Sequence, residues 1–419
     1  MSHLHSSSAG LRTIIERGLA ILTAIAIALV YIALKDSPLL YDEVFHFQRI
    51  EKLLTGSIEL RDWGVMLPGY HLLLTGLLKL SGSASVSMAR FISLLFSLTA
   101  CAGAFLAARS LHKSSALLRT IEIATLPILL PFFPLLYTDT LSLALVLFAL
   151  AAVLRKRALL SGAFFMCAVL VRQNNVLWGP LLLALALQDE PTWHITSIEP
   201  LRWFGAVLHR FSQPAALWSL LRTGWFFLVP VALFALFIVI AGRASLNPDL
   251  ASAHPFPSFS LGNVFFTLSL FTVLFIPLVG VRARSLPGLL QRPWVLVILV
   301  ILFILFSVGF YVDHPANSET GRLRDAILMA AAAGGAQGFL FWCTGALGLL
   351  TIFVTPLERR IFLLLYPLAL LYLGGSWLIE IRYAIVPLVL FLLVRRPLSW
   401  RLEVSQVIFN LMLCLWVFT

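Results

Sequence analysis

The chain has 419 residues, 60% of them hydrophobic and 12% charged, with a net charge of +11 and a mean hydropathy of +0.97. Soluble domains are roughly half apolar and about a quarter charged, so a water-soluble enzyme with one buried core is excluded. Disorder, which needs low hydrophobicity, is excluded with it. Apolar stretches recur from residue 18 to residue 418, and no polar interruption is long enough for a soluble domain. The chain therefore reads as one all-α, polytopic membrane domain over residues 1–419. Its arginines fall in short clusters between apolar runs and not along one face, the pattern of topology signals in contact with lipid and not of a nucleic-acid binder.

The first apolar run, 18–34, is long for a signal peptide and has no clear small-residue cleavage site, so it is expected to stay as a helix. Further spans are expected near 89–108, 120–137, 139–154, 158–171, 174–187, 223–241, 262–281, 293–312, 326–354, 361–374, 378–394 and 404–418, about 11–13 in all. The piece 67–80 is shorter and reads as re-entrant or interfacial. With the N-terminus in the cytosol, alternation puts the clusters at Arg109–Arg119, Arg155–Arg157, Arg282–Arg292, Arg359–Arg360 and Arg395–Arg401 on one face. Arg322 and Arg324 are the exception. The segment 188–222, with Trp193, Trp203 and Trp218 among Arg and His, reads as a cytosolic amphipathic helix or a contact with another membrane protein. Cys101, Cys167, Cys343 and Cys414 lie inside apolar runs with no metal-ligand spacing, which points to packing.

The opposite face collects short polar motifs at helix ends: Tyr41-Asp42-Glu43-Val44-Phe45-His46, Leu67-Pro68-Gly69-Tyr70-His71, Tyr137-Thr138-Asp139-Thr140, Arg172-Gln173-Asn174-Asn175, His314-Pro315 and Glu380-Ile381-Arg382-Tyr383. Ionisable groups this close to membrane depth mark function by default. The loop 35–66 carries six acidic and four basic residues, the most acidic stretch of a basic protein. Asp42 and His46 share a face if a helix begins by Asp42, and such a carboxylate and imidazole can position and deprotonate a hydroxyl. A helix cap followed by a solvated loop is the other reading.

These motifs resemble, in order, those of the α-1,2-glucosyltransferases that add the terminal glucose to the dolichol-linked oligosaccharide, a branch of the GT-C membrane glycosyltransferases. The family's Met-Asp-Glu-x-Phe-His is similar to residues 41–46, its Thr-Pro-Pro-Gly-Leu-Tyr to 66–70, its Tyr-Thr-Asp-Thr to 137–140, its Arg-Gln-Thr-Asn-Ile-x-Trp to 172–178 and its Glu-Pro-Arg-Tyr to 380–383. The chain departs from the family after Arg61 and after His314-Pro315.

The resemblance implies a GT-C fold and an inverting transfer of glucose from dolichyl phosphate to a lipid-linked oligosaccharide, for N-glycosylation at the endoplasmic reticulum membrane. Inversion needs one base and cations on the departing phosphate. Asp42 is the first candidate base, with Glu43 next, and His46 would orient the base or the acceptor. Arg172 and Arg382 are candidates for the phosphate, because a guanidinium fork binds it bidentately; snorkelling is the alternative for each. Glu380 would hold Arg382, or form an ion pair of purely structural value. Asp139 would bind sugar or cap a helix. Gln173, Asn174 and Asn175 would contact sugar hydroxyls or cap the adjacent helix, and Tyr70 belongs to the same acceptor group. No nucleotide-sugar DxD, P-loop or metal-ligand spacing occurs, so neither metal nor cofactor is expected. The rival readings are a bacterial polyprenyl-phosphate glycosyltransferase at the plasma membrane with another acceptor, and a transporter or flippase.

Overall fold

The computed structural model describes residues 2–188, 205–206, 209–210, 212–245, 247, 249, 259–318 and 322–418. The expected amphipathic segment 188–222 lies mostly outside the described residues. In chain order the helices are α1 (Ser2–Leu34), α2 (Glu43–Thr55), α3 (Gly69–Ser81), α4 (Val86–Leu111), α5 (Ala116–Ala124), α6 (Thr138–Leu154), α7 (Ala158–Val171) and α8 (Gly179–Leu187). They continue as α9 (Pro214–Ala241), α10 (Gly262–Leu274), α11 (Ile276–Ala283), α12 (Leu286–Leu290), α13 (Pro293–Gly309), α14 (Leu323–Ala332), α15 (Gly335–Val354), α16 (Leu365–Gly374), α17 (Ile385–Val394) and α18 (Trp400–Phe418). Among the described residues four helices are long and apolar enough to cross a membrane alone, α1, α4, α9 and α15, and shorter apolar helices accompany them.

The helices are more broken than the apolar runs. The span expected over 120–137 is not one helix: α5 ends at Ala124, and a turn and a short 3-10 segment follow before α6. Pro127, Pro131 and Pro134 each lack an N–H for the helical ladder and interrupt it. The span expected over 326–354 divides into α14 and α15 at Gly334 and Gly335, whose φ values of 76° and 61° lie in the left-handed region that glycine adopts freely. The span over 262–281 bends by 83° between α10 and α11, where Pro277 follows Phe275. The segment near 67–80 forms α3, at 13 residues too short to span a bilayer.

Two helices form the centre. Nearly every residue of α6 and all ten of α17 are buried, as expected for helices that are apolar on all sides. A row of small residues on α4, Ala100, Gly103, Ala104 and Ala107, admits α6 closely; a Cβ at Gly103 would stand 3.0 Å from Leu147 Cβ. Both central helices begin at one end of the bundle, so the residues at their N-termini, Asp139 and Arg382, are brought together. The opposite end holds a buried quartet: Arg119 pairs with Glu122 (2.7 Å) and Glu403 (3.2 Å), and Arg395 pairs with Glu122 (2.8 Å) and Glu403 (2.7 Å). Arg119 and Arg395 were expected in cytosolic connections between spans. They are instead buried and matched, because an unpaired cation there would be left without water or counter-charge. One length of α17, roughly 15 Å at 1.5 Å per residue, separates the quartet from the Arg382 end.

Candidate active site

The turn before α2 sets the first component. Tyr41 has φ +48°, unusual for a residue with a Cβ, and the turn delivers Asp42 to the start of α2. Asp42 does not cap that helix with its side chain. Its carboxylate is 44% exposed and accepts from Arg382 Nη2 at 2.7 Å. Glu43, one residue on, takes a different part. It is wholly buried, accepts from Arg90 Nε (3.1 Å) and Nη2 (2.6 Å), and also from the backbone N–H groups of Leu40 and Leu136 (2.9 Å each). Arg90 in turn donates to the carbonyls of Ser37 (2.7 Å) and Pro38 (3.0 Å). The pair fixes the turn that presents Asp42, and its oxygens are committed to protein donors. Nothing in the motif itself marked Arg90. The available signal was a lone arginine at the second residue of a run expected to span the membrane.

The second component comes from the N-terminal ends of α6 and α17 and the C-terminal end of α7. Asp139 does not cap α6, which begins from Tyr137; it lies in the first helical turn, buried, and forms an ion pair with Arg172. Arg382 Nη1 stands 3.8 Å from the other Asp139 oxygen and its Nη2 3.8 Å from Glu380 Oε2. Each guanidinium also lies over an aromatic ring, Arg382 over Tyr137 at 4.7 Å and Arg172 over Tyr383 at 5.4 Å. Glu380 accepts from the Ile381 N–H at 3.0 Å and pairs with Arg324, which also binds Asp325 at 2.7 Å. Asn263 completes this corner by accepting from the Glu380 N–H (2.9 Å) and donating to the carbonyls of Ser376 and Leu378. Arg324 belongs to the one basic pair that broke the charge alternation, and that breach was the sequence signal for it.

The remaining expected residues divide. His46 is buried one turn after Asp42, and its Nδ1 lies 2.9 Å from His71 Nε2. Burial, then His71, Arg49, Arg382 and Arg172, hold the His46 imidazole well below its ordinary range, so it is neutral. Gln173 ties the first loop to the 172–178 turn, donating to Val65 O (2.8 Å) and Ala244 O (3.2 Å). Asn174 lies in the same turn, with its side chain near Tyr372. Asn175 is wholly buried and donates to Ser142 Oγ and Ala168 O, both at 2.8 Å. Tyr70 is wholly buried with its hydroxyl 3.2 Å from Ser93 Oγ. Tyr70 and Asn175, expected among the acceptor contacts, thus face the protein interior, where the Tyr70 hydroxyl and the Asn175 amide N–H groups bond other helices.

An apolar cavity of about 400 Å³ lies between α10, α13, α15, α16 and α17, with Phe265, Leu302, Leu349, Tyr366, Leu373 and Pro387 among its lining residues. Two of the helices that line it, α16 and α17, are the ones joined by the hairpin bearing Glu380 and Arg382.

A family model described as the DIE2/ALG10 family matches residues 37–316. The chain belongs to this family. Asp42, Asp139 and Arg172 fall within the matched residues, whereas Arg324, Glu380 and Arg382 lie beyond them. The chain is 30% identical over 157 residues to the rat protein named Dol-P-Glc:Glc(2)Man(9)GlcNAc(2)-PP-Dol alpha-1,2-glucosyltransferase, and 29% identical over 160 residues to the human protein of that name. Each match spans 33% of this chain and 33% of the relative. Among solved structures it is similar to ArnT from Cupriavidus metallidurans bound to undecaprenyl phosphate, with a TM-score of 0.40 and 15% identity over 93% of this chain and 78% of the other.

Proposed function

We propose that this DIE2/ALG10-family chain is an inverting GT-C glycosyltransferase that moves glucose from dolichyl phosphate to a lipid-linked oligosaccharide in an α-1,2 linkage, at the endoplasmic reticulum membrane. The observation that carries the reading is the partly exposed Asp42 carboxylate in contact with Arg382, beside a second arginine, Arg172. An acceptor hydroxyl donates its proton to Asp42 as its oxygen bonds the anomeric carbon. The bond from that carbon to the phosphate oxygen breaks, and the polyprenyl phosphate leaves with the electron pair. Arg382 is shared between the base and the leaving group. As negative charge grows on the phosphate, the Arg382 guanidinium stabilises it while Asp42 takes the proton. The apolar cavity beside the Glu380–Arg382 hairpin suits a polyprenyl tail whose phosphate meets Arg382. Ionisable groups at helix ends on one side of the bundle favour an enzyme over a transporter, whose site would sit near the bilayer midplane.

The test is single-turnover transfer by purified protein with dolichyl-phosphate glucose and a lipid-linked oligosaccharide, run against undecaprenyl-linked donors. A positioned base contributes roughly 10²–10⁴-fold, so Asp42→Asn should slow transfer by about that factor with donor binding retained. Transfer from undecaprenyl donors alone would replace the dolichol pathway with a bacterial lipid-linked one. Unchanged turnover in Asp42→Asn would remove Asp42 as the base.

A further inference from the structure

His71 stood in the sequence only as the end of the Leu67–His71 motif, and the mechanism above does not use it. It is 1% exposed, as is His46, and the two rings stack at 5.1 Å between centroids and 29° between planes. The closeness is built in by the backbone. At Gly69 a Cβ would stand 2.6 Å from Leu170 O, so only glycine lets the start of α3 press against the end of α7, two residues before Arg172. Tyr70 and Trp63 pack edge-on against the His71 ring, and Tyr137, under Arg382, packs edge-on against His46.

Only one proton fits between His46 Nδ1 and His71 Nε2, and the two ways of placing it are not equivalent. If His46 were the donor, neutral His71 would carry its proton on Nδ1, which is buried with no hydrogen-bond partner among the described residues. A buried orphan N–H is rarer and more costly than a buried lone pair left unused. If His71 donates through Nε2–H, its buried Nδ1 is merely an unused acceptor. His46 Nδ1 is then the acceptor, and the His46 proton is on Nε2, the nitrogen directed away from His71.

We propose that His71 is a positioning residue that locks His46 in the Nε2–H tautomer, so that His46, one turn after Asp42 and edge-on to the Tyr137 ring under Arg382, supplies a hydrogen-bond donor to an oxygen of the bound sugar and does not act as a base. The catalytic consequence rests on the transferase reading above; the tautomer does not. Burial keeps both rings neutral, and Arg49, Arg382 and Arg172 around His46 oppose a second positive charge.

The test is ¹⁵N nuclear magnetic resonance of histidine-labelled full-length protein in lipid bilayers, with His46→Gln used to assign the His46 signal. The expected spectrum has a bare Nδ1 and a protonated Nε2 on His46. His71→Leu, which removes the donor, should release that preference and lower kcat about fivefold, the size of one neutral hydrogen bond, with donor KM unchanged. His71→Gln puts an amide N–H near the position of Nε2 and should restore both. A proton on His46 Nδ1 in the unaltered protein overturns the proposal, and so does a His71→Leu protein that keeps both the tautomer and kcat. If the variants do not fold, the spectrum of the unaltered protein alone decides. Absence of glucosyl transfer by the unaltered protein would refute the reaction and leave the tautomer to that spectrum.

Discussion

Arg382 donates to Asp42 at 2.7 Å across 340 residues of sequence, joining the first loop to the last polar hairpin. The same guanidinium is 3.8 Å from Asp139 and from Glu380, so one cation meets carboxylates from three separate motifs. Such a group is fixed in direction by Asp139 and Glu380, while the partly exposed Asp42 leaves one side of it open to a ligand.

Arg382→Lys should therefore raise the donor KM by about tenfold while the protein still folds, because lysine keeps the charge and loses the fork. Titration of transfer rate against donor concentration measures this. An unchanged donor KM would reduce Arg382 to a structural cation.

Glu43 and Arg90 should behave as a buried pair and not as catalytic groups. Removing one partner of such a pair costs about 3–5 kcal/mol, so Glu43→Gln and Arg90→Met should each lower thermal stability in detergent sharply. The double substitution Glu43→Met with Arg90→Met should regain much of that loss, since no charge is left unmatched. Folded Glu43→Gln that loses turnover as completely as Asp42→Asn would show that Glu43 touches the reaction.

The histidine pair gives the site a signed pH dependence. Burial lowers His71 to about 3 and holds His46 well below its ordinary value near 6.5. Below about pH 6.5 the unfolded chain takes up protons that these rings in the folded protein refuse, so stability falls as pH falls. Each refused proton is worth about 1.4 kcal/mol per pH unit in that window. Unfolding followed from pH 7 to pH 5 should show a shallower loss for His46→Gln with His71→Gln than for the unaltered protein.

The sidedness implied by the charge pattern is open to cysteine labelling in a background with the four native cysteines replaced. Ser57→Cys, exposed after α2, should react with an impermeant thiol reagent only when the non-cytosolic compartment is opened. Lys156→Cys, exposed between α6 and α7, should react from the cytosolic side. Labelling of both from one side would overturn the assignment.

Composition and local pattern alone determined that the chain is an all-helical membrane protein, because an apolar run of spanning length must satisfy its backbone within itself. They also singled out groups that the fold brings together: Asp42, Asp139, Arg172, Glu380 and Arg382 were legible as ionisable groups at helix ends that had no place beside lipid. What only the tertiary structure decided was which of these groups meet. Asp42 and Glu43 are neighbours in sequence with the same chemistry, yet one is open to the site and the other is enclosed by Arg90 and two backbone donors. Arg119 and Arg395 resembled loop charges and proved to be the interior of an ion quartet, because pairing between residues far apart in sequence leaves no periodicity to read. Breaks at Pro127, Pro131, Pro134 and Gly334–Gly335 were written in the sequence, but hydropathy averages over them. The His46–His71 contact depends on how closely α3 approaches α7, a distance set by the missing side chain of Gly69 and by packing that no local pattern encodes.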